Sequence, residues 1–339
     1  MNATNAISGI NGNAGVTNPT VGVNAKSNTQ AKFVLNLDIG YSASKILFNG
    51  VFKKIPTAIS FALDSGINYG DEKDVYSFEG ERYCVGEEAT NDESFTTTNY
   101  QFMNKFGPLI TYHIRKKCGI PDNEIITINT GLALADWSKK DEFITKLSRI
   151  EVDGKIIENN VQVIPQGAGV YYDYVYNNLN GINPGVTSVI DIGYNTVNFL
   201  VFEDGKPVRK KSKGYIGHGV TSIVSSFRNY LEATFNIPFY DQESIKIFLR
   251  GSFTYNGVDQ EQVKETITTL KKQFVQKLMN SVLINEKKTL STSDVVILAG
   301  GGTYFLENGI NFPPNVHFKE ISPYEFSNVR GYSIALGGR

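Results

Sequence analysis

One strand-turn-strand unit occurs twice in this chain, and the repeat limits what the chain can fold into. Near the amino end, Phe33 to Ile39 (FVLNLDI) and Ala43 to Asn49 (ASKILFN) read as two strands joined at Asp38-Ile39-Gly40-Tyr41. Far downstream, Val186 to Ile192 (VTSVIDI) and Thr196 to Phe202 (TVNFLVF) are joined at Asp191-Ile192-Gly193-Tyr194. Self-similarity of this kind points to a duplicated architecture. The strand-turn-strand start differs from the strand-helix start of a dinucleotide fold. A length of 339 residues suits two folded domains or one large α/β unit.

The spacing of apolar and turn-forming residues fills in the rest. Residues 1–32, rich in Asn, Gly, Thr and Ser, bury too little to offset ordering entropy and read as a flexible tail. A third strand is expected at Ile55 to Phe61, then short strands at Tyr76 to Phe78 and Glu81 to Val85 around Glu79-Gly80. Residues 62–104, with polar Thr96-Thr97-Thr98, read as a small insert. Helices are expected over Pro108 to Lys117, Trp137 to Ile150 and Gly167 to Leu179. Further helices are expected over Gly219 to Phe235, Asp241 to Arg250, Asp259 to Leu283 and Tyr324 to Leu336. Strands are expected at Ile125 to Thr130, Val161 to Ile164, Val208 to Lys211, Val295 to Ala299 and His317 to Glu320, with a hairpin over Val152 to Ile157.

Composition closes off several function classes. The net charge of -1 argues against a bulk basic surface for nucleic acid, although Arg209-Lys210-Lys211-Ser212-Lys213 forms a local basic cluster. Two cysteines, Cys84 and Cys118, and three scattered histidines, His113, His218 and His317, lack metal-ligand spacing and imply a reducing compartment. No apolar run reaches membrane-spanning length and no signal-peptide pattern opens the chain, so a cytoplasmic protein is expected.

An aspartate at the end of an apolar strand, followed by glycine, opens a turn where backbone N–H groups can approach a polyanion. Two such turns facing one another would hold a triphosphate from both sides. Asp38 and Asp191 would then hold Mg²⁺ through its waters. Lys45, on the strand that follows the first turn, would neutralise charge near the β- and γ-phosphates; the bland reading is a surface lysine. Ser42 and Asn195 offer short polar contacts. Gln166 follows Pro165 at a helix start, where it would orient a water for in-line attack on the γ-phosphate; a helix-capping amide is the plainer reading. Gly300-Gly301-Gly302-Thr303 ends a buried strand and brings backbone close to something bulky, read as adenosine and the α-phosphate. A sharp strand-helix junction would explain the same glycines.

Together these residues resemble the actin-like ATPase superfamily, which includes actin, bacterial filament proteins, Hsp70 and sugar kinases. Its first phosphate loop is similar to Asp38-Ile39-Gly40-Tyr41-Ser42-Ala43-Ser44-Lys45, and its second to Asp191-Ile192-Gly193-Tyr194-Asn195-Thr196. The first connecting segment resembles Val163 to Gly169, and the adenosine motif resembles Ile297 to Thr303. Asn328-Val329-Arg330-Gly331-Tyr332 resembles the second connecting segment of ParM-type plasmid-segregation actins and archaeal actin-like proteins. Glu243-Ser244-Ile245-Lys246 is similar to the bacterial-actin helix whose lysine lies near the nucleoside. Position 247 is Ile where eukaryotic actin is acidic, and ParM carries glutamate where Gln166 stands.

The resemblance implies an α/β actin-like fold of two duplicated mixed-sheet domains around a nucleotide cleft. Residues 33–185, with 61–106 inserted and 324–339 completing them, would form domain I; residues 186–323, with 216–275 inserted, would form domain II. The halves would hinge around Gln166 and Gly331. Gln166, Asp191 and Lys45 would be catalytic. Residues Gly40, Tyr41, Ser42, Ala43, Ser44, Gly193, Tyr194, Asn195, Thr196, Gly217, Lys246, Gly300, Gly301, Gly302 and Thr303 would contact ATP or ADP. The implied activity is Mg²⁺-dependent ATP hydrolysis, with GTP as an alternative base. The implied assembly is a cytoplasmic filament of copies of this chain, linked to plasmid DNA through an adaptor rather than by direct DNA contact. A small-molecule kinase of the same superfamily is the alternative, but no carboxylate base stands out in the loops after Gly131 or Pro165.

Overall fold

The computed structural model of the chain describes residues 32–62, 74–91, 94, 99–306, 318–320 and 323–337. The expected tail and the Thr96–Thr98 stretch lie outside the described residues.

Alternating apolar residues build the first sheet. Its strands are β1 (Val34–Ile39), β2 (Ala43–Phe48) and β3 (Val51–Pro56), then β7 (Ile126–Leu132), β8 (Arg149–Val152) and β9 (Lys155–Pro165). A small sheet of β4 (Ile59–Phe61), β5 (Val75–Phe78) and β6 (Glu81–Val85) lies between them in sequence. The first sheet runs β3-β2-β1-β7-β9-β8. The second contains β10 (Val186–Ile192), β11 (Thr196–Glu203), β12 (Lys206–Pro207), β13 (Lys213–Ile216), β16 (Val295–Ala299) and β17 (Phe318–Glu320). Its order is β12-β11-β10-β16-β17, with β13 also on β11; β14 (Thr254–Tyr255) and β15 (Val258–Asp259) form a separate hairpin.

The duplication is real at the level of register. In each sheet a hairpin's first strand pairs antiparallel with its second and parallel with a distant strand: β1 with β2 and β7, β10 with β11 and β16. Asp38 stands opposite Lys45, and Asp191 stands opposite Asn198. The two halves are therefore superimposable in pattern but differ at the partner of the acid.

Eight α-helices cover the sheets among the described residues: α1 (Tyr100–Lys117), α2 (Lys140–Ser148), α3 (Ala168–Leu179), α4 (Thr221–Phe235), α5 (Asp241–Arg250), α6 (Glu261–Leu278), α7 (Lys287–Ser291) and α8 (Ser327–Leu336). One apolar cluster joins the first sheet to α1 and α2, and a second joins β10, β11 and β16 to α4, α5 and α6. Helix α3 follows the first sheet but packs on the second, through Val170, Tyr171 and Tyr174 against Leu200, Phe202 and Ile297. Helix α8 ends the chain and returns to β1, β2 and β7. The two connections cross where Gly331 meets Gly169, and a methyl group on Gly331 would strike the Gly169 carbonyl. Asp173 of α3, fully buried, takes bidentate contact from Arg330 of α8 at 2.8–2.9 Å and a 2.7 Å hydrogen bond from Ser327.

Several elements differ from the sequence reading. Gly50 turns the chain into β3 at Val51–Pro56, so Ile55 to Phe61 is split between two sheets. Helix α1 begins at Tyr100, capped by the Asn99 side chain, and runs through Pro108; its buried Phe102 and Phe106 outweigh the lost N–H. Arg209–Lys211 is a 3-10 turn rather than a strand. Ile150 belongs to β8, after α2 has ended at Ser148.

Candidate functional site

The carboxyl ends of β1 and β10 bring Asp38 and Asp191 together, both buried. Three amides organise them. Gln166, at the end of β9, donates from Nε2 to Asp38 Oδ1 at 2.8 Å. Asn328 on α8 donates from Nδ2 to Asp191 Oδ2 at 3.1 Å and also hydrogen-bonds Asp38. Its own Oδ1 accepts from the Gly167 N–H at 2.9 Å. Opposite Asp191, Asn198 is held as its Oδ1 accepts from the Leu134 N–H at 3.1 Å. The two acids are thus tied to both chain crossings.

Burial makes this cluster electrostatically costly. It raises Asp38 above the ordinary carboxylate range, against the opposing pull of Lys45, Gln166 and Asn328. It raises Asp191 to about 6, with the Asp38 charge adding to the effect. Lys45 lies below the usual lysine range, first through burial, while Asp38 and Asp191 favour its charged form. Tyr332 reaches into the same place from α8. Its phenol is fully buried, has no hydrogen-bond partner among the described residues, and is pushed well above its ordinary pKa by burial and the two carboxylates.

The remaining expected contacts lie in several different settings. Gly40 and Gly193 sit in the two turns: a methyl on Gly40 would lie 2.8 Å from the Ala43 carbonyl oxygen, and one on Gly193 3.1 Å from that of Thr196. Tyr41, Asn195 and Thr196 line a cavity of about 370 Å³ together with Tyr100, Asp136 and Lys139. Tyr194 points elsewhere, donating to Asp241 at 2.9 Å. Ser44 turns its hydroxyl into the core against Thr57 at 3.0 Å, and Ala43 is buried; both offer a ligand backbone rather than side chain. Ser42 is held by Gln242 of α5. Gly217 has open space beside it, and Lys246 is exposed on α5.

The glycine run after β16 has two explanations at once. A methyl on Gly300 would strike the Ile192 carbonyl and Asp191, and one on Gly302 would strike the Ile192 side chain. Those two glycines are required by packing against the second turn. Gly301 meets nothing closer than 3.7 Å. Thr303 Oγ1 is buried with no hydrogen-bond partner among the described residues.

Sequence reasoning missed four residues. Asn328 and Tyr332 lie inside a motif whose sequence says nothing of contact with the acids. Gln242 had no local signal at all. Asp136, in the loop after Gly131 where no carboxylate had stood out, is buried with Lys139 at 2.8 Å and borders the cavity.

Two mixed sheets with matching hairpins, crossed by α3 and α8 and carrying one acid each, define an actin-like fold. Solved structures agree. An archaeal actin homologue in complex with ADP superposes with a TM-score of 0.68 at 18% identity, covering 90% of this chain and 99% of that one. A ParM from Clostridium botulinum, solved as a 15-stranded filament, gives 0.68 at 21% identity over 89% and 98%. Bacillus thuringiensis ParM with AMPPNP gives 0.62 at 16% identity over 89% and 98%. No curated protein sequence matches. The model for the amino-terminal domain of actin like proteins matches residues 36–169, and that for the C-terminal domain of archaeal, MreB-like actin homologues matches residues 189–311. The chain belongs to the actin-like ATPase superfamily.

Proposed function

We propose that this chain binds ATP with Mg²⁺ between its two turns, hydrolyses it, and assembles with copies of itself into a filament. The observation that carries the reading is the meeting of Asp38 and Asp191, from equivalent strands, under the shared amide of Asn328.

The residues fit a magnesium ion. Among the described residues no group of three or more acidic, His or Cys side chains is poised to hold a metal, so a dedicated protein cage is not on offer. Magnesium keeps waters and takes one or two carboxylates plus substrate phosphates, which is what two lone carboxylates supply. The ion would neutralise phosphate charge when bound. Asp38 and Asp191 would hold it, and their like charges, costly when buried, would be relieved. Lys45 would stand by the β- and γ-phosphates. Gln166, fixed by its bond to Asp38, would orient a water with its free amide oxygen. Gly40, Gly193 and Gly301 would let backbone approach the ligand, with Gly217, Thr303 and Lys246 towards the nucleoside.

The filament reading draws on fold and family, and on a ParM relative solved as a filament. Nucleotide state would change the relation between the halves at the Gly169–Gly331 crossing, and hence the polymer. Plasmid DNA, reached through an adaptor, is the proposed cargo, and the cytoplasm the proposed place. Among the described residues no helix is long and apolar enough to cross a membrane.

One observation favours the kinase reading: Asp136 is a carboxylate in a cavity that borders both turns. Its 2.8 Å contact with Lys139 engages the carboxylate, which weakens it as a base. Light scattering with simultaneous phosphate release, on ATP with Mg²⁺, separates the two. Scattering that rises with ATP and falls as phosphate appears supports the filament. Phosphate transfer to added polyols without scattering supports the kinase.

A further inference from the structure

We infer that Gln242 is a positioning residue for the first turn, holding Ser42 from across the cleft and aiming its hydroxyl proton at the bound nucleotide. The inference rests on the nucleotide reading above and deepens it.

Gln242 lies in the first turn of α5, in the carboxyl-terminal half, whereas Ser42 lies 200 residues earlier in the turn between β1 and β2. Its Nε2 donates to the Ser42 carbonyl at 2.9 Å and to the Ser42 hydroxyl at 3.3 Å. A carbonyl oxygen only accepts, so the amide must present its NH₂ here, and its orientation is settled by chemistry. The Ser42 hydroxyl therefore accepts from Gln242. Its own proton is then turned away and is free to donate, the polarity an anionic phosphate oxygen needs. The Ser42 carbonyl is fixed from the other side as well, by the Thr57 N–H at 3.1 Å.

The helix that presents Gln242 is anchored. Phe248 of α5 is fully buried, edge-on to Phe227 at 5.3 Å and stacked on Phe305 at 5.1 Å. The neighbouring Asp241 accepts from Tyr194 of the second turn at 2.9 Å and from Arg228 at 2.8 Å. Two consecutive residues of one rigid helical turn thus grip both phosphate turns. A group held this way orients its partner without touching the ligand itself. Loss of Gln242 frees the first turn while leaving the second in place.

The test is the release rate of a fluorescent ATP analogue with Mg²⁺, measured by stopped flow alongside thermal unfolding without nucleotide. Gln242→Ala is expected to release the analogue about three- to tenfold faster, the range of one or two neutral hydrogen bonds, with an unchanged melting temperature. Gln242→Glu cannot donate and faces the Ser42 carbonyl with a charge, so its release is expected to be faster still. In a Ser42→Ala background the effect of Gln242→Ala should shrink, because the oriented hydroxyl is gone. An unchanged release rate, or the same fold-change with and without that hydroxyl, overturns the inference. Wild-type protein that takes up no analogue overturns the nucleotide reading together with it; wild-type binding with indifferent variants overturns the inference alone.

Discussion

Gln166 donates from Nε2 to Asp38 Oδ1 across 2.8 Å, so the residue proposed to orient water is itself oriented by the residue proposed to hold the metal. That bond uses the amide nitrogen and leaves the amide oxygen to accept from a water. Gln166→Ala removes both, and the expected result is single-turnover hydrolysis slower by about a hundredfold, the cost of one preorganised group. Affinity for ATP with Mg²⁺ should change by no more than about threefold, because the carboxylates remain. Gln166→Glu is expected to differ: it sets a third carboxylate against two buried ones. Rapid-quench kinetics and equilibrium titration check the two halves of this prediction, and wild-type turnover in Gln166→Ala removes the assignment.

The site was half legible in the sequence, and the division follows physical lines. Asp38, Gly40, Asp191 and Gly193 announced themselves because a strand end and its turn are local, and because the unit occurs twice. Pro165-Gln166-Gly167 was legible as a helix start for the same reason. Asn328 and Gln242 bond partners 137 and 200 residues away, and nothing in the spacing of a sequence marks an amide for such use. Ser44 shows what a motif leaves undetermined, namely which of its groups faces the turn. It sits in the right motif, yet β2 alternation turns its hydroxyl towards Thr57 and the core. Helix α1 was cut short at Pro108 because proline usually begins a helix, while tertiary burial carried the helix past it.

Burial of Asp191 predicts a stability cost that depends on pH. Its folded-state pKa of about 6 exceeds the ordinary aspartate value of 3.8, so between these values the folded protein binds the extra proton. Stability from this group is therefore greatest in acid and falls as pH rises through about 6. The full difference, 6 - 3.8, corresponds to about 3 kcal/mol. Asp191→Asn escapes it. Without nucleotide or magnesium, the variant should gain about 2–3 kcal/mol over wild type at pH 7, and the gain should dwindle towards pH 4. His113, buried beside Asp74 and lowered to about 4 by burial, acts with the opposite sign: its contribution is lost as pH falls below about 6.5. Being present in both proteins, it cancels in the difference. Urea unfolding at three pH values measures the gain, and a difference that stays flat with pH contradicts it. The same variant should lose tight binding of ATP with Mg²⁺, a stability gained at the expense of the site.

The α3–α8 crossing should be the most sensitive structural point outside the acids. Asp173 is fully buried and Arg330 nearly so, and they meet through paired hydrogen bonds. Arg330→Met leaves Asp173 buried without its cationic partner, held only by neutral hydrogen bonds from Ser327 and Asn177, an expected loss of about 3 kcal/mol. The double variant Asp173→Leu with Arg330→Met removes the stranded charge and should recover a large part of that loss. Denaturant midpoints of the two variants decide the matter. A double variant no more stable than the single one would place the cost in packing rather than charge.

Gly300 and Gly301 are neighbours in one run, but the structure asks different things of them. Gly300 has a φ of +90°, and a methyl group on it would strike Asp191 and the Ile192 carbonyl. An alanine there is strained by its backbone and by contact, so Gly300→Ala should destabilise the protein by about 2–3 kcal/mol and displace Asp191. Gly301 has no such φ, and a methyl group finds the Glu325 Cβ at an ordinary 3.7 Å. Gly301→Ala should therefore unfold like wild type. If this glycine is where backbone comes close to the nucleotide, the same variant should still weaken ATP binding, by about tenfold for a methyl group pressed against a ligand. Melting curves and nucleotide titrations of the two variants give four numbers. Wild-type affinity in a normally folded Gly301→Ala would assign the whole run to packing around the second turn.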